Sequence, residues 1–172
     1  STGSGDGGTI VIWSDLNNPS GGTIAQGELL ARGGPADGDG GRIETSGAYL
    51  LAQPEAVDVS AFKGSSGEWL LDPYNITIRF DTGDFQPPST VFDSSLLFES
   101  TSSESAVDTR ALNRALVQQR NNVRILTGTG DPSQGGNITW EAGADLDYSS
   151  ASTNLTLDAA GYIQLNSNIT TG

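Results

Sequence analysis

The sequence predicts an all-β chain wound as a parallel β-helix, and three observations carry the prediction. Glycine pairs at Gly7, Gly21, Gly40 and Gly135 each precede a short apolar stretch, over residues 9–13, 23–26, 42–45 and 137–140. The triplet Asn-(Ile/Leu)-Thr recurs at Asn75, Asn137, Asn154 and Asn168. The third observation is composition: 23 of 172 residues are Gly, Lys63 is the only lysine, and only 35% are hydrophobic. That is thin for a globular core but enough for one inward row per strand joined by tight polar turns. The repeat spacings are irregular, which suits coils of roughly 20 residues with variable turns rather than a strict repeat code. A Gly-Gly pair is expected to turn the backbone with positive φ at low steric cost, and the Ile that follows to drop inward. Successive coils then pair in parallel, each burying the face of its neighbour.

The elements follow from alternation. Gly67-Glu68-Trp69-Leu70-Leu71-Asp72-Pro73-Tyr74-Asn75-Ile76-Thr77-Ile78 joins an apolar knot to an Asp-Pro stop and then opens a strand. Ile76, Ile78 and Phe80 fall on one face of it, Thr77 and Arg79 on the other. Pro73 keeps Asp72 out of the helical region and marks a corner, which is expected to give Leu70 and Leu71 a buried side each. Residues 48–52 and 56–60 read as two more strands, with Tyr49/Leu51 or Leu50, and Val57/Val59, pointing inward. Strands resume over 123–127, 137–140, 155–157 and 162–165. The expected core is Ile10, Ile12, Ile43, Val57, Val59, Leu71, Ile76, Ile78, Ile138, Leu155, Leu157, Ile163 and Leu165. One domain results: coils over 1–80, an excursion over 81–104 packed on the flank through Val91, Phe92, Leu96, Leu97 and Phe98, a short helix over 105–120, and coils again over 121–172. The helix has Val107, Ala111, Leu112, Ala115 and Leu116 on one face. Its start is marked by Ser105 and Asp108 in capping-box spacing or by Asp108 as N-cap, and its end by Asn121-Asn122. Four of the eight basic residues, Arg110, Arg114, Arg120 and Arg124, lie in or just after it, where they oppose the partial negative charge of a helix C-terminus.

The 67–78 run resembles a Leu-Leu-Asp-Pro-x-Asn-Ile-Thr-Ile block of filamentous-haemagglutinin-like exoproteins, the secreted partners of bacterial two-partner secretion. Four earlier blocks are similar to that family in its order: Gly7-Gly8-Thr9-Ile10-Val11-Ile12-Trp13-Ser14-Asp15, Ala31-Arg32-Gly33-Gly34, Gly40-Gly41-Arg42-Ile43-Glu44-Thr45-Ser46-Gly47 and Val57-Asp58-Val59-Ser60-Ala61. Beyond residue 80 the likeness is looser. The resemblance implies a right-handed β-helix, the hand also expected of parallel crossovers. It further implies a secreted protein of the bacterial surface, and an outer-membrane transporter as partner through an upstream secretion domain. That domain's Asn-Pro-Asn-Gly motif is absent here. Some adhesins of the family carry glycans at Asn-x-(Ser/Thr), the triplet headed by all four asparagines above, although a strand-opening repeat accounts for them too.

A net charge of −13 and a pI near 4.1 repel nucleic-acid phosphates and anionic bilayers, so neither is an expected partner. The chain has no Cys and so no disulfide. It also has no Met, so processing or excision from a longer chain is expected. No apolar run reaches the length of a membrane span, and no signal-peptide pattern remains at Ser1.

Candidate chemistry is sparse. Asp37 and Asp39, with Gly38 and Gly40, are the best cation candidates and would suit calcium. Gly41 stands where a calcium loop needs its third ligand, which favours a plain turn. Asp145 and Asp147 share a face if 144–148 is a strand, and paired acids on such a scaffold suit polysaccharide cleavage. No basic residue is near them, and a chain without His lacks the commonest proton shuttle. Trp13, Trp69 and Trp140 are candidate sugar platforms, but each follows inward aliphatics, which favours packing. The structural motif Trp69, Leu70, Leu71, Asp72, Pro73, Asn75, Ile76 and Ile78 supplies neither nucleophile nor base. The sequence therefore reads as a non-catalytic adhesin or filament shaft without a cofactor. It would contact neighbouring coils or further copies end to end, and host or matrix glycans. The alternatives are a polysaccharide-binding or -cleaving module and a subunit that self-assembles end to end.

Overall fold

Alternating residues become strands wherever a turn releases the chain, and the strands run β1 Thr9–Trp13, β2 Gly22–Ala25, β3 Glu28–Leu30, β4 Arg42–Gly47, β5 Tyr49–Ala52, β6 Ala56–Asp58, β7 Glu68–Pro73 and β8 Ile76–Arg79. After β9 Ala106–Asp108 comes the helix α1 Thr109–Asn113, which widens into a π-type turn over Arg114–Gln118. Then follow β10 Asn122–Thr127, β11 Ile138–Trp140, β12 Leu146–Asp147, β13 Leu155–Ala159, β14 Ile163–Leu165 and β15 Ile169–Thr170. This computed structural model describes residues 3–15, 18, 21–80, 105–128 and 135–172. The expected excursion over 81–104 lies outside the described residues.

The strands stack as a parallel β-helix of about four turns. Its first face is β1-β4-β7-β10-β13, its second β2-β5-β9-β8-β11-β14, and its third holds the pairs β3-β6 and β12-β15. Among the described residues every strand pairing is parallel and in register. On the first face Ile10, Ile43, Trp69, Val123 and Leu155 form one inward row, and Ile12, Thr45, Leu71, Ile125 and Leu157 the next. Ile43, Leu50, Leu71, Ile76, Ile78, Ile125, Ile138, Trp69 and Trp140 are fully buried between the faces, each worth roughly 1.5–3 kcal/mol. Both buried indoles find acceptors: Trp69 Nε1 donates to Thr45 Oγ1 at 3.1 Å and Trp140 Nε1 to the Ala144 carbonyl at 2.6 Å.

One strand is out of sequence order. β9 lies between β5 and β8, so among the described residues the second face has one strand more than the first. The helical segment that follows packs between β6 and β12 on the third face. A helix is about 10 Å across and strands are about 4.8 Å apart, so two strand widths, those of β9 and β8, match one helix. Leu112 and Leu116 fill the gap it covers.

A helix cannot continue a strand ladder, so side chains serve the strand edges it covers. Asn121, fully buried, accepts from Val59 N at 3.0 Å and donates to the Val57 carbonyl. Arg114 donates to the Pro54 carbonyl, Asn113 to the Asp147 carbonyl, and Thr153 to the Leu116 carbonyl.

Several expectations need correction. The helix begins at Thr109, not 105. Residues 106–108 are the inserted strand, and Val107 is buried in it. Asp108 is the N-cap and accepts from Arg110 N at 2.7 Å. Phe80 is exposed, because β8 ends at Arg79; its ring lies 5.5 Å from the Arg110 guanidinium carbon instead. Leu70 and Leu71 are both buried but on one continuous strand. Leu71 points inward, while Leu70 sits outside between Glu44 and Arg124; the corner comes later, between Pro73 and Ile76. Ile24 faces outward, since β2 starts one residue early and reverses the phase. Of the two alternatives over 48–52, the structure takes Leu50, which points inward with Ala52, while Tyr49 and Leu51 do not. Ile10, Ile12, Leu155 and Leu157 are only half-buried, and Ile163 and Leu165 are 43% and 53% exposed. Among the described residues these strands have a partner on one side only.

The glycine pairs also act differently from expectation. Only Gly136 among them has positive φ, at 69°. At Gly41 the constraint is proximity: a Cβ there would collide with the backbone of Gly7, Gly8 and Ala31 in the coil beneath.

Candidate functional site

At the corners of the coils, carboxylates and amides bond to the next coil. Asp6 Oδ1 accepts from Asp39 N at 2.9 Å, and Asp39 Oδ1 accepts from Ser65 N at 2.7 Å. Asn75 Oδ1 accepts from Asn137 N at 2.7 Å, and Asn137 Oδ1 from Tyr162 N at 3.0 Å. Asn122 Oδ1 accepts from Asn154 N at 3.1 Å, and Asp145 Oδ1 from Asn168 N at 2.9 Å. Each oxygen serves an N–H one coil further along the chain. Four such columns run in the same direction and fasten the turns where the strand ladders stop.

The sequence-predicted acids fall into this scheme. Asp39 is a ladder member, and Asp37 accepts from its neighbour Gly38 N at 3.0 Å. Among the described residues no three His, Cys, Asp or Glu side chains converge as a cation cage. Asp145 and Asp147 share no strand face, because β12 begins only at Leu146. Asp147 is exposed, and the Ser149 hydroxyl and N–H hold its carboxyl below the usual range. Of the three tryptophans, Trp69 and Trp140 are core, while Trp13 is 67% exposed. It lies on the outward side of β1, where packing was expected.

Register brings together charged groups that are far apart in sequence. On the outer side of the first face Glu44, Leu70 and Arg124 are successive neighbours. Arg42 pairs with Glu44 at 3.0 Å and Arg124 with Asp158 at 2.7 Å. Burial first, and then Glu44, push the Asp72 carboxyl up against the opposing pull of Arg124. On the third face burial alone would raise Asp58, but hydrogen bonds from Ser60 and the Arg32 guanidinium at 2.5 Å hold it low.

A groove opens on the second face. Its volume is about 190 Å³, and it is lined by Asn75, Ile76, Thr77, Ser105, Asn137, Thr139 and Tyr162. Thr77 and Thr139 are register partners on β8 and β11, and Tyr162 is 56% exposed beside them. The repeated Asn-x-Thr triplet was the available signal, since it sets both threonines at one strand position. Only the insertion of β9, unreadable from sequence, brings in Ser105.

No protein-family model matches the chain, and a search of curated proteins finds no match. Among the described residues no helix is long and apolar enough to cross a membrane.

Proposed function

We propose that this chain is a structural length of a secreted, surface-displayed bacterial exoprotein, an adhesive β-helical shaft rather than an enzyme. The observation that carries the reading is how the corner acids and amides are used. Asp6, Asp39, Asn75, Asn137, Asn122 and Asp145 are engaged in lacing coil to coil. That is the use a rod makes of polar side chains, whereas hydrolysis needs an acid and a base converging on one point. The resemblance to filamentous-haemagglutinin-like exoproteins supplies the setting: export through an outer-membrane transporter by way of an upstream domain, and further parallel coils against β1 and β14, from the same polypeptide or from copies end to end. An acidic, lysine-poor surface suits a soluble extracellular rod.

Two measurements test this. Electron micrographs of the protein on its native cell surface should show thin rods, and deleting its gene should reduce attachment; globular particles and unchanged attachment would contradict the reading. Release of reducing ends or unsaturated products from a polysaccharide, lost in Asp145→Ala or Asp147→Ala, would restore the cleaving alternative. The binding alternative is favoured by the neutral groove on the second face.

A further inference from the structure

We infer that the groove on the second face is a subsite for one neutral sugar unit of a glycan. The inference deepens the adhesive part of the proposed function and rests on it for a glycan-bearing surface.

Size sets the first limit. At about 190 Å³ the groove is smaller than the roughly 300–1,000 Å³ of sites for drug-sized ligands, so it takes one small unit rather than a folded partner. Charge sets the second. Every lining side chain is neutral in a chain of net charge −13. A phosphate or sulfate would meet no cation in the lining and a repulsive field around it, and a metal ion would find no carboxylate there. Chemistry sets the third. Thr77 and Thr139, on adjacent strands, stand about 4.8 Å apart, and neither hydroxyl has a hydrogen-bond partner among the described residues. Asn137 commits its Oδ1 to Tyr162 N, which leaves its Nδ2 as a donor. Hydroxyls that both donate and accept, an amide donor and a half-exposed aromatic wall match a ring that presents hydroxyls on its rim and C–H groups on its faces. A peptide adding a strand would need a sheet edge, whereas this groove lies on a face.

The test uses the whole chain with soluble neutral oligosaccharides of glucose, mannose, galactose and N-acetylglucosamine, followed by amide chemical shifts in NMR. At least one should perturb residues 75–77, 105, 137–139 and 162. Tyr162→Ala and Thr139→Val should each weaken that oligosaccharide by roughly tenfold, the loss expected for one contact. Trp13→Ala should leave it unchanged. Tyr162 and Thr139 both point out of the core, so the variants should keep the parent's circular dichroism. Binding that survives both groove substitutions overturns the subsite while leaving an adhesive chain. Binding to none of the oligosaccharides also overturns the subsite, and the shaft reading then stands or falls on rod morphology and attachment.

Discussion

Asn121→Ala probes the junction on which the fold depends. Where the helix replaces a strand on the third face, the edge of β6 away from β3 has no ladder partner among the described residues. The Asn121 side chain substitutes for one, accepting from Val59 N at 3.0 Å and donating to the Val57 carbonyl, from a fully buried position. The substitution orphans Val59 N completely. Val57 keeps one donor, because the Gln119 amide reaches its carbonyl at 2.9 Å in the orientation its neighbours favour. One buried orphan costs about 1–3 kcal/mol and a lost net hydrogen bond about 1 kcal/mol, so a loss of about 2–4 kcal/mol is expected. For a chain this long, that lowers the melting temperature by roughly 4–16 °C. Urea and thermal unfolding followed by circular dichroism would measure it. Gln119→Ala alone should be mild, and the double variant should lose more than the sum of the two, since each amide covers for the other at Val57. A midpoint unchanged in Asn121→Ala would refute the claim that this side chain closes the β6 edge.

Four further outcomes follow from the same geometry. Asp58 is held low in the folded state, so its stabilisation is present above the unfolded carboxylate value and is lost as pH falls through the folded one; Asp58→Asn should lower stability at pH 7, with the gap to the parent closing in acid. Asp72 is pushed up, so its ionised form is a liability above its folded pKa that acid relieves; Asp72→Asn should match or exceed the parent at pH 7 and lose that advantage as pH falls, as urea titrations across pH would show. Gly41→Ala should fail to reach native thermal stability, because the added methyl meets backbone on the coil beneath. Asn137→Ala frees Tyr162 N from its acceptor; hydrogen exchange should speed up over 162–165 and stay slow at Ile76 and Ile78.

The coil was legible in the sequence where alternation followed a turn signal. Thr9–Trp13 emerged with the expected bounds, and Ile43, Val57, Val59, Leu71, Ile76, Ile78 and Ile138 lie in the core as expected. Strand phase failed at Ile24 because a one-residue shift at the glycine pair reverses every side chain. Inward periodicity over-predicted burial at Ile163 and Leu165, because alternation gives a face and not a neighbour. The reading of 105–120 failed at its first turn: Val107 fits a helical stripe and a strand equally well, and only the gap between β5 and β8 decides. The groove was less legible still. Thr77 and Thr139 are 62 residues apart, and nothing local announces that β8 and β11 are neighbours or that Ser105 returns beside them. The same holds for Glu44, Asp72 and Arg124, whose proximity is a product of register.

Paired cysteines test the threading most directly, since the chain has none of its own. Leu51 and Thr77 both neighbour Ala106, one on each side. Adjacent in-register positions fall within the Cα separation of about 4.4–6.8 Å that a disulfide bridges, and positions two strands apart do not. Mild oxidation should therefore link Leu51→Cys with Ala106→Cys, and Ala106→Cys with Thr77→Cys, but not Leu51→Cys with Thr77→Cys. A ready Leu51–Thr77 crosslink would place β5 directly against β8 and contradict the inserted strand, and failure of all three pairs would contradict the parallel stack itself.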